Sequence, residues 1–385
     1  MEFAVGALTN ATREIFEAGD PAYTRIRMMT VGKSTAAAPA SALAAIAQPW
    51  TAVNSTTIGS TNVTFGVFSA ACWLTGRDVF NGLNRSTPLG LITSCVSGTP
   101  IEEWAPADAI AACPQPAHDP YPSKSTLFNA MVAPLAVGPL ALMGTIWWQG
   151  EANAAFNQTA YYACQLPAVI SSWRSHFGGA AAWWGVVQLQ AFSHYAAHND
   201  TYDVPWFRDA QAAALALPNV TLATAIDLGD ALSPYVNIHI RDKQPAGARL
   251  AAGALARVFG LALPHVSPRA VSAACSASAG ALRVAVAFDA AAAAAGGVEL
   301  RAAPACPAPA APLSTCSKFG ILGSDGKWYD AAAELAGDAL GVVLTAPAPA
   351  GVAPAAHGYG WSSFPLPQLF TRAGALPVLP WLVDC

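Results

Sequence analysis

The sequence is poor in charged residues, which make up 11% of its 385 residues, against about a quarter in an ordinary soluble domain. It contains no run of lysine and arginine, and its formal net charge is −4. Proteins that bind nucleic acids use clustered basic side chains to neutralise phosphates. We therefore do not expect a nucleic-acid partner.

Long uninterrupted hydrophobic runs are also missing, although 54% of the residues are hydrophobic. Much of this excess is alanine, which is small and only weakly apolar. The best candidate for a membrane span is the segment from Asn129 to Trp148, and it is broken by Pro134, Gly138, Pro139 and Gly144. Since a span needs about 20 continuous apolar residues, we expect a helix, a turn and a buried strand here instead of a span.

None of the eight cysteines forms a C-x-x-C pair, which argues against a zinc ribbon or a thioredoxin-like site. Their even number permits disulfides. N-x-[ST] sequons occur at Asn10, Asn54, Asn62, Asn84, Asn157, Asn199 and Asn219. Cysteines and sequons together favour a secreted or lysosomal glycoprotein. The residues after Met1 do not have the pattern of a signal peptide. This agrees with the secretory features if the natural protein begins upstream of Met1.

Strand-like apolar runs alternate with helical segments through the first two-thirds of the chain. Strands are predicted at 25–31, 89–94, 143–148, 184–189 and 221–227, and helices at 68–80, 126–137, 161–177, 206–217 and 244–259. This alternation predicts a parallel α/β sheet with helices on both faces. Functional residues of such sheets lie at the carboxyl ends of the strands.

The pattern changes near Leu263, after which short strands predominate, at 282–288, 298–302 and 341–345. The second of these lies in a run rich in alanine and proline, 290–312, which is otherwise predicted to be loop. The sequence therefore predicts an α/β domain over 1–263 and a smaller β-rich C-terminal domain over 264–385.

A first candidate functional segment runs from Ser94 to Trp104, directly after a predicted strand. A glycine in such a turn, here Gly98, lets a backbone N–H approach a developing oxyanion closely. The alternative is a tight strand-to-helix turn in which Ser97 or Thr99 caps the helix.

A second segment, Trp147 to Asn153, also follows a predicted strand. The amide of Gln149 is suited to donate a hydrogen bond to an oxyanion from a rigid strand end. Two tryptophans, Trp147 and Trp148, beside this amide and the carboxylate of Glu151 also suit a sugar-binding surface. The alternative is a buried amide that ties down a loop.

A third segment contains Asp227 and Asp230, followed by His239 just before a predicted helix. An α/β hydrolase places its general base at such a position, although a lone histidine is more often structural. His194 and His198 lie in a polar loop and either line the site or are solvated. The histidines show no metal-ligand spacing, so no metal or cofactor is predicted.

Taken in order, these segments and their neighbours resemble the sialate O-acetylesterase family of SGNH-type carbohydrate esterases. Met1-Glu2-Phe3 is similar to the end of the family's nucleophile block, Gly-Gln-Ser-Asn-Met-Glu-Phe. Further matching blocks are FSAACWLTGRDVF, GLITSCVSGTPIEEW, LFNAMVAPL, GTIWWQGEAN, WFRDAQ, DLGD, NIHIRDKQPAGARLA and GYGWSSFPLPQLFTRAGALP. The resemblance implies an SGNH-like three-layer fold with a parallel sheet.

The resemblance also implies the chemistry, which is removal of O-acetyl groups from sialic acid or other sugars by a serine. His239 then takes the proton of the serine, while Gly98 and Gln149 stabilise the oxyanion. Glu151 and Asn153 hold the Gln149 loop in place. Asp230 or Asp227 orients His239, or a Ser–His dyad operates, because Val236 stands where many members carry the triad aspartate.

The serine of the family's nucleophile block would lie two residues before Met1, and no G-x-S-x-G elbow occurs elsewhere to replace it. The chain is therefore expected to be a fragment of a longer secreted esterase and to have almost no esterase activity alone. Two alternatives remain open. One is a catalytically silent relative that binds acetylated sugars, and the other is an esterase that acts on plant or algal polysaccharide. The oligomeric state is not predicted.

Overall fold

The structure, a computed structural model, describes residues 1–61, 65–115, 120–138, 140–156, 158–179, 181–192, 204–278, 280–302 and 318–385. Its helices within these residues are α1 (Ala11–Glu17), α2 (Ala70–Gly82), α3 (Ile101–Trp104), α4 (Ala107–Ala111), α5 (Ala133–Val137), α6 (Glu151–Ala154), α7 (Thr159–His176), α8 (Val204–Ala212), α9 (Gln244–Phe259) and α10 (Ala290–Ala294). Its strands are β1 (Ile26–Val31), β2 (Ile46–Ala52), β3 (Leu89–Thr93), β4 (Gly144–Trp147), β5 (Trp183–Gln188), β6 (Val220–Thr224), β7 (Ala270–Ser278), β8 (Ala281–Phe288), β9 (Val298–Leu300), β10 (Phe319–Gly323), β11 (Trp328–Asp330), β12 (Ala332–Leu335), β13 (Gly341–Pro347), β14 (Pro354–Tyr359), β15 (Leu369–Thr371) and β16 (Trp381–Asp384).

The chain divides into two structural units. The first consists of Met1–Leu189, Asn199–Ala223 and His239–Ala262, and the second of Gln190–His198, Thr224–Ile238 and Leu263–Cys385. The second unit thus contains two short segments that the sequence assigned to the α/β domain. Asp227, Asp230 and Val236 belong to one of these segments, whereas His239 belongs to the first unit.

The first unit contains a sheet of order β2-β1-β3. β1 is the central strand and is almost wholly buried, and it pairs in parallel with β3 from Ile26↔Leu89 to Thr30↔Thr93. Both strands confirm the predictions for 25–31 and 89–94. β2 was not predicted, because its mostly exposed residues lack an apolar period. It pairs antiparallel with β1, which needs no helical crossover.

A second sheet of the same unit has the order β4-β5-β6. β4 and β5 are parallel, from Gly144↔Trp183 to Trp147↔Val186, and all six residues of β5 are buried. The described strands of this unit therefore form two three-stranded sheets, where the sequence predicted one parallel sheet. The predicted strands of 143–148, 184–189 and 221–227 are all present, with β6 ending earlier than expected at Thr224.

Local sequence signals explain where the long helices begin and end. The Ser69 hydroxyl accepts a hydrogen bond from the Cys72 N–H at 3.3 Å and caps α2. Gly260, with φ +71°, ends α9 in the left-handed conformation that glycine adopts without strain. α9 matches the predicted helix at 244–259. The predicted helix at 126–137 contains a π-helical turn, Phe128–Val132, before α5.

The second unit is rich in β-structure. Two four-stranded sheets, β11-β10-β14-β16 and β12-β13-β8-β7, share one apolar core. β8 alternates strictly between buried and exposed residues, as expected of a strand with one face on a core. The alanine-rich segment after Asp289, predicted as loop, begins with helix α10, because the Asp289 carboxylate caps the N–H of Ala291 at 3.2 Å and alanine has the highest helix propensity.

Two disulfides join Cys113 to Cys164 and Cys275 to Cys385, each within one unit. Cys72 and Cys95 are free thiols, and Cys306 and Cys316 lie outside the described residues. Across the described part of the chain, no helix has the length and apolar character needed to span a membrane.

His357 on β14 is a buried histidine of the second unit, with 1% of its surface exposed. Trp381 Nε1–H donates a hydrogen bond to His357 Nδ1 at 3.0 Å, which requires an unprotonated Nδ1. Burial lowers the pKa of His357 from its ordinary value of 6.5. The folded protein therefore holds this ring in its neutral form.

We predict that His357 makes folding less favourable in acid. Since the folded pKa lies below the unfolded value, the neutral ring stabilises the fold fully above about pH 6.5, and this contribution is lost as pH falls below it. Urea unfolding at about pH 7.5 and pH 5 measures the loss. The loss should be smaller in His357→Asn. The difference between the two proteins is up to about 1.4 kcal/mol for each pH unit by which the folded pKa of His357 lies below its unfolded pKa. Equal losses in both proteins would contradict the prediction.

Candidate active site

The first three residues of the sequence lie among the segments predicted to be functional. The Met1 amino group donates a hydrogen bond to the carbonyl oxygen of Trp148 at 3.4 Å. The buried Glu2 accepts a hydrogen bond from the Ser97 N–H through Oε2 at 2.6 Å, and its other oxygen pairs with Lys33. Residues 1 and 2 thus connect the turn after β3 to the loop after β4.

Phe3 extends this connection towards His239. Its carbonyl accepts a hydrogen bond from the Ala70 N–H at 2.8 Å, and it forms an isolated β-bridge with Phe65. The rings of Phe3 and Phe65 meet edge to face with centroids 5.8 Å apart. The Phe65 ring in turn meets the imidazole of His239 edge to face at 5.4 Å. Phe3 is therefore linked to His239, the predicted general base, through two ring contacts, Phe3–Phe65 and Phe65–His239.

Gly98 lies in a turn that is fixed at both ends. The Ser94 hydroxyl donates to the Met131 carbonyl at 3.1 Å, and the Thr99 hydroxyl donates to the Val96 carbonyl at 2.8 Å. Gly98 itself has φ +74° and is exposed, with open space where a Cβ would stand. Within the described residues its N–H has no acceptor. The turn thus holds one exposed glycine whose N–H lacks an acceptor among the described residues, and its role at an oxyanion stays a prediction.

Asn153 is the centre of a buried polar network and is fully shielded from solvent. Its Oδ1 accepts hydrogen bonds from the Ile101 N–H at 3.0 Å and from Gln149 Nε2 at 2.8 Å. Its Nδ2 donates to Glu102 Oε2 at 2.8 Å and to Gln158 Oε1 at 2.7 Å. One side chain therefore joins the helix that follows the Gly98 turn to the loop that carries Gln149.

Gln149 is held at both polar atoms of its side chain and at its carbonyl oxygen. Besides Asn153, its Nε2 donates to the Thr99 carbonyl at 3.2 Å. Its Oε1 accepts a hydrogen bond from the Tyr162 hydroxyl at 3.0 Å, and its carbonyl accepts from Gln211 Nε2 at 3.1 Å. Both amide hydrogens thus have acceptors in the protein. To stabilise an oxyanion, Gln149 has to exchange one of these bonds.

Trp148 is buried, with 4% of its surface exposed, and its ring faces Lys243. The Lys243 ammonium lies 3.9 Å from the Trp148 ring centroid and 4.8 Å from that of Phe3. Burial lowers the pKa of Lys243 to about 8, and the charge of Glu151 opposes this effect. A cation between two aromatic faces, each of which attracts positive charge, therefore links the loop after β4 to the segment after His239.

Asp227 and Asp230, the residues predicted to orient His239, belong to the second unit, whereas His239 belongs to the first. Val236 has φ +68°, a conformation that is strained for a β-branched residue and easier for aspartate or asparagine. The described residues contain no group of three or more His, Cys, Asp or Glu that could hold a metal ion. His194 and His198 lie outside the described residues.

The structure thus connects Gly98, Trp148, Gln149, Asn153 and His239 within one unit. Sequence reasoning gave no role to Glu2, Tyr162 or Lys243. Glu2 and Lys243 lie inside quoted motifs, but no periodicity marks a charged side chain that will be buried. Tyr162 lies in a predicted helix, and nothing in its neighbours indicates that its hydroxyl reaches Gln149.

Comparison with known proteins identifies the family. The family model described as carbohydrate esterase, sialic acid-specific acetylesterase, matches residues 42–255. The sialate O-acetylesterases of Pongo abelii and Homo sapiens are each 35% identical over 279 residues, which is 68% of this chain and 52% of each relative. A carbohydrate acetylesterase from Xanthomonas citri superposes with a TM-score of 0.79 at 26% identity, over 100% of this chain and 78% of that structure.

The chain belongs to the sialic acid-specific acetylesterase family of carbohydrate esterases, as its motifs indicated. It has a mixed α/β fold with several sheets, like that of the bacterial acetylesterase. It spans about half the length of the curated relatives it matches.

We predict that the Asn153 network stabilises the first unit strongly. Asn153→Ala leaves the buried Ile101 N–H without its acceptor and takes one partner from Gln149, Glu102 and Gln158. Since each buried polar group left unpaired costs about 1–3 kcal/mol, the unfolding free energy should fall by roughly 3–5 kcal/mol. Urea unfolding followed by tryptophan fluorescence measures it. A matched control is Asn129→Ala, because that buried amide makes one side-chain hydrogen bond, to the Ala36 carbonyl at 3.2 Å. Equal losses in the two variants would contradict a central role for Asn153.

We also predict that Lys243 titrates well below the ordinary lysine value of 10.5. The chain has lysines at 33, 124, 243, 318 and 327, so NMR of ¹³C-labelled lysine resolves each one. A single resonance, absent from Lys243→Met, should titrate with a midpoint near the pKa of about 8. Because the folded state binds this proton less tightly than the unfolded chain, stability should rise with pH between about 8 and 10.5. A Lys243 resonance that titrates above about pH 10 would contradict the burial of this ammonium.

Proposed function

We propose that this protein removes O-acetyl groups from sialic acid or another sugar by serine–histidine chemistry. The observation that carries the proposal is the convergence of the Gly98 turn, the Gln149 loop and the His239 segment around Met1–Phe3. Family membership supports ester hydrolysis on a sugar, and the likeness to the bacterial carbohydrate acetylesterase supports the same reaction class.

In the proposed reaction a serine oxygen attacks the acetyl carbonyl carbon while His239 takes the serine proton. The carbonyl oxygen becomes an oxyanion, which accepts a hydrogen bond from the exposed Gly98 N–H. When the tetrahedral intermediate collapses, His239 gives its proton to the departing sugar oxygen. Water then attacks the acetyl-enzyme by the same route and releases acetate. One oxyanion donor of this kind typically lowers the barrier by about 2.7–4 kcal/mol.

The serine itself is proposed to precede Met1 in the natural polypeptide. Met1-Glu2-Phe3 matches the end of the family's nucleophile block, and the Met1 nitrogen lies 3.4 Å from the Trp148 carbonyl oxygen. An extended chain advances at most about 3.3–3.6 Å per residue, so a residue two positions earlier would lie within about 7 Å of that nitrogen. It would therefore be close to the Gly98 turn, which Glu2 holds through Ser97.

The remaining site residues have supporting roles in this proposal. Asn153 and Glu151 hold the Gln149 loop, and Gln149 contributes to oxyanion binding by exchanging its bond to the Thr99 carbonyl. Trp148 contributes to the sugar site through its loop. Asp230 or Asp227 orients the imidazole of His239, with a Ser–His dyad as the alternative. No metal or cofactor takes part in any step.

The same proposal includes the SGNH-like three-layer arrangement for residues 1–263, with residues 264–385 as the β-rich accessory domain. The two disulfides and the sequons support a secreted or lysosomal location. Asn10 and Asn84 are exposed, as attachment of a glycan requires. Asn62, Asn157 and Asn199 lie outside the described residues.

The test compares the 385-residue chain with the same chain preceded by its natural upstream residues. Acetate release is measured from O-acetylated N-acetylneuraminic acid and from acetylated xylo-oligosaccharides. We expect turnover in the extended protein alone. His239→Asn in that protein should lower kcat by at least about 10³-fold, since nucleophile and base act as a unit. The two substrates separate sialic acid from plant-type polysaccharide as the preferred class.

His265→Asn is the control, because this half-buried histidine lies after α9 and bonds only the nearby Leu263 carbonyl, at 2.8 Å, among described residues. It should leave kcat unchanged. Turnover that survives His239→Asn would overturn the serine–histidine mechanism. An extended protein that binds acetylated sugar without releasing acetate would make the chain a silent carbohydrate-binding relative.

A further inference from the structure

A shallow groove of about 630 Å³ lies on the β2-β1-β3 sheet, at the end where β1 and β3 begin. Its lining includes Arg25, Arg27, Trp50 and Gly90. The Gly98 turn follows the opposite end of β3, and a five-residue strand is about 16 Å long. The groove is therefore separate from the candidate active site, and none of the residues in the proposed reaction lines it.

The Trp50 ring is positioned by an irregularity in the sheet. Between the pairs Met28↔Thr51 and Thr30↔Gln48, β2 contains one residue more than β1, which is a β-bulge. Bulges redirect the side chains that they contain, and here the ring crosses to β3, where its Cη2 would lie 3.4 Å from a Cβ on Gly90. Trp50 is 49% exposed. The sheet thus holds one indole face open to solvent above a glycine.

Two arginines give the groove its charge. Arg27 pairs with Gly90 across β1 and β3, and its exposed side chain has no ion pair among the residues that the structure describes. Arg25 is fixed beside it, since its Nη1 donates to the Arg85 carbonyl at 3.1 Å and its Nη2 to the Ser86 carbonyl at 2.6 Å. None of the described residues that line the groove carries a carboxylate. It therefore combines a fixed positive charge, a free guanidinium and an aromatic face.

We propose that this groove is a second saccharide-binding site, selective for sugars that carry a carboxylate. A sugar ring has an apolar face of C–H bonds, which packs on the exposed indole of Trp50. The Arg27 guanidinium presents parallel N–H donors that match a carboxylate in bidentate geometry. A neutral sugar satisfies the indole but not Arg27, and an acidic peptide satisfies Arg27 without using the flat ring. The occupant that uses both groups is an acidic saccharide, and its binding does not depend on ester hydrolysis.

The test uses two probes that differ only in their acidic residue, 3′-sialyllactose and lactose. Titration calorimetry on the complete chain at low ionic strength should detect 3′-sialyllactose binding, with lactose at least about tenfold weaker. Trp50→Ala and Arg27→Gln should each weaken 3′-sialyllactose binding at least fivefold, and Arg27→Lys should lie between Arg27→Gln and the unchanged protein. Binding should also weaken with added salt, because the pair is exposed.

Two control variants keep the result specific. Trp328→Ala removes a tryptophan of similar exposure, 53%, from the second unit and should not change binding. His239→Asn should not change it either, which separates the groove from the active site. Thermal unfolding verifies that each variant is folded. The proposal is overturned if lactose binds equally well, if neither groove variant weakens binding, or if a glutamate-rich hexapeptide binds more tightly than 3′-sialyllactose.

Discussion

The hydrogen bond from the Ser97 N–H to the buried carboxylate of Glu2 is the contact on which the geometry of the site depends. It fixes the turn that presents the Gly98 N–H, and it fixes the residue beside Met1, whose nitrogen reaches the Trp148 carbonyl. A buried carboxylate is stable only when it is paired and hydrogen-bonded, and Lys33 with Ser97 provides both conditions. Because the contact joins residues 95 positions apart, the strand ends cannot move independently of the N-terminal segment.

The low charge content of the chain makes its buried charges informative. Only 11% of residues are charged, yet Glu2, Glu102 and Lys243 are buried next to predicted site residues. Each has a compensating partner of a different kind: an ion pair for Glu2, an amide donor for Glu102 and two aromatic faces for Lys243. Buried charged side chains more often fix the geometry of a site than add to the stability of the fold. These three buried charges thus lie at the same loops as the motifs, whereas Glu14, Arg174 and Arg208 are buried elsewhere in the first unit.

The long elements of the first unit were predictable because the signals for them lie within each element's own sequence. β1, β3, β5 and α9 have apolar runs of the right length and clear ends, and the motifs after β3 and β4 follow from those ends. β2 was missed because an edge strand that contains Pro49 and mostly exposed residues has no apolar period. The ties of Glu2 to Ser97 and of Tyr162 to Gln149 were missed for another reason. They join residues far apart in sequence, so no local pattern encodes them.

The same parallel pairing that gathers the candidate active site also creates the second groove. In β1 and β3 the carboxyl ends carry the polar turns, whereas the amino ends bring Arg27 opposite Gly90. A glycine there leaves room for the ring of Trp50, and the bulge in β2 directs this ring towards β3. Arg27 lies on the central strand β1, and Trp50 lies on the edge strand β2, where a charge and not an exposed indole discourages unwanted pairing. Their combination above one glycine is therefore better explained by a ligand than by folding.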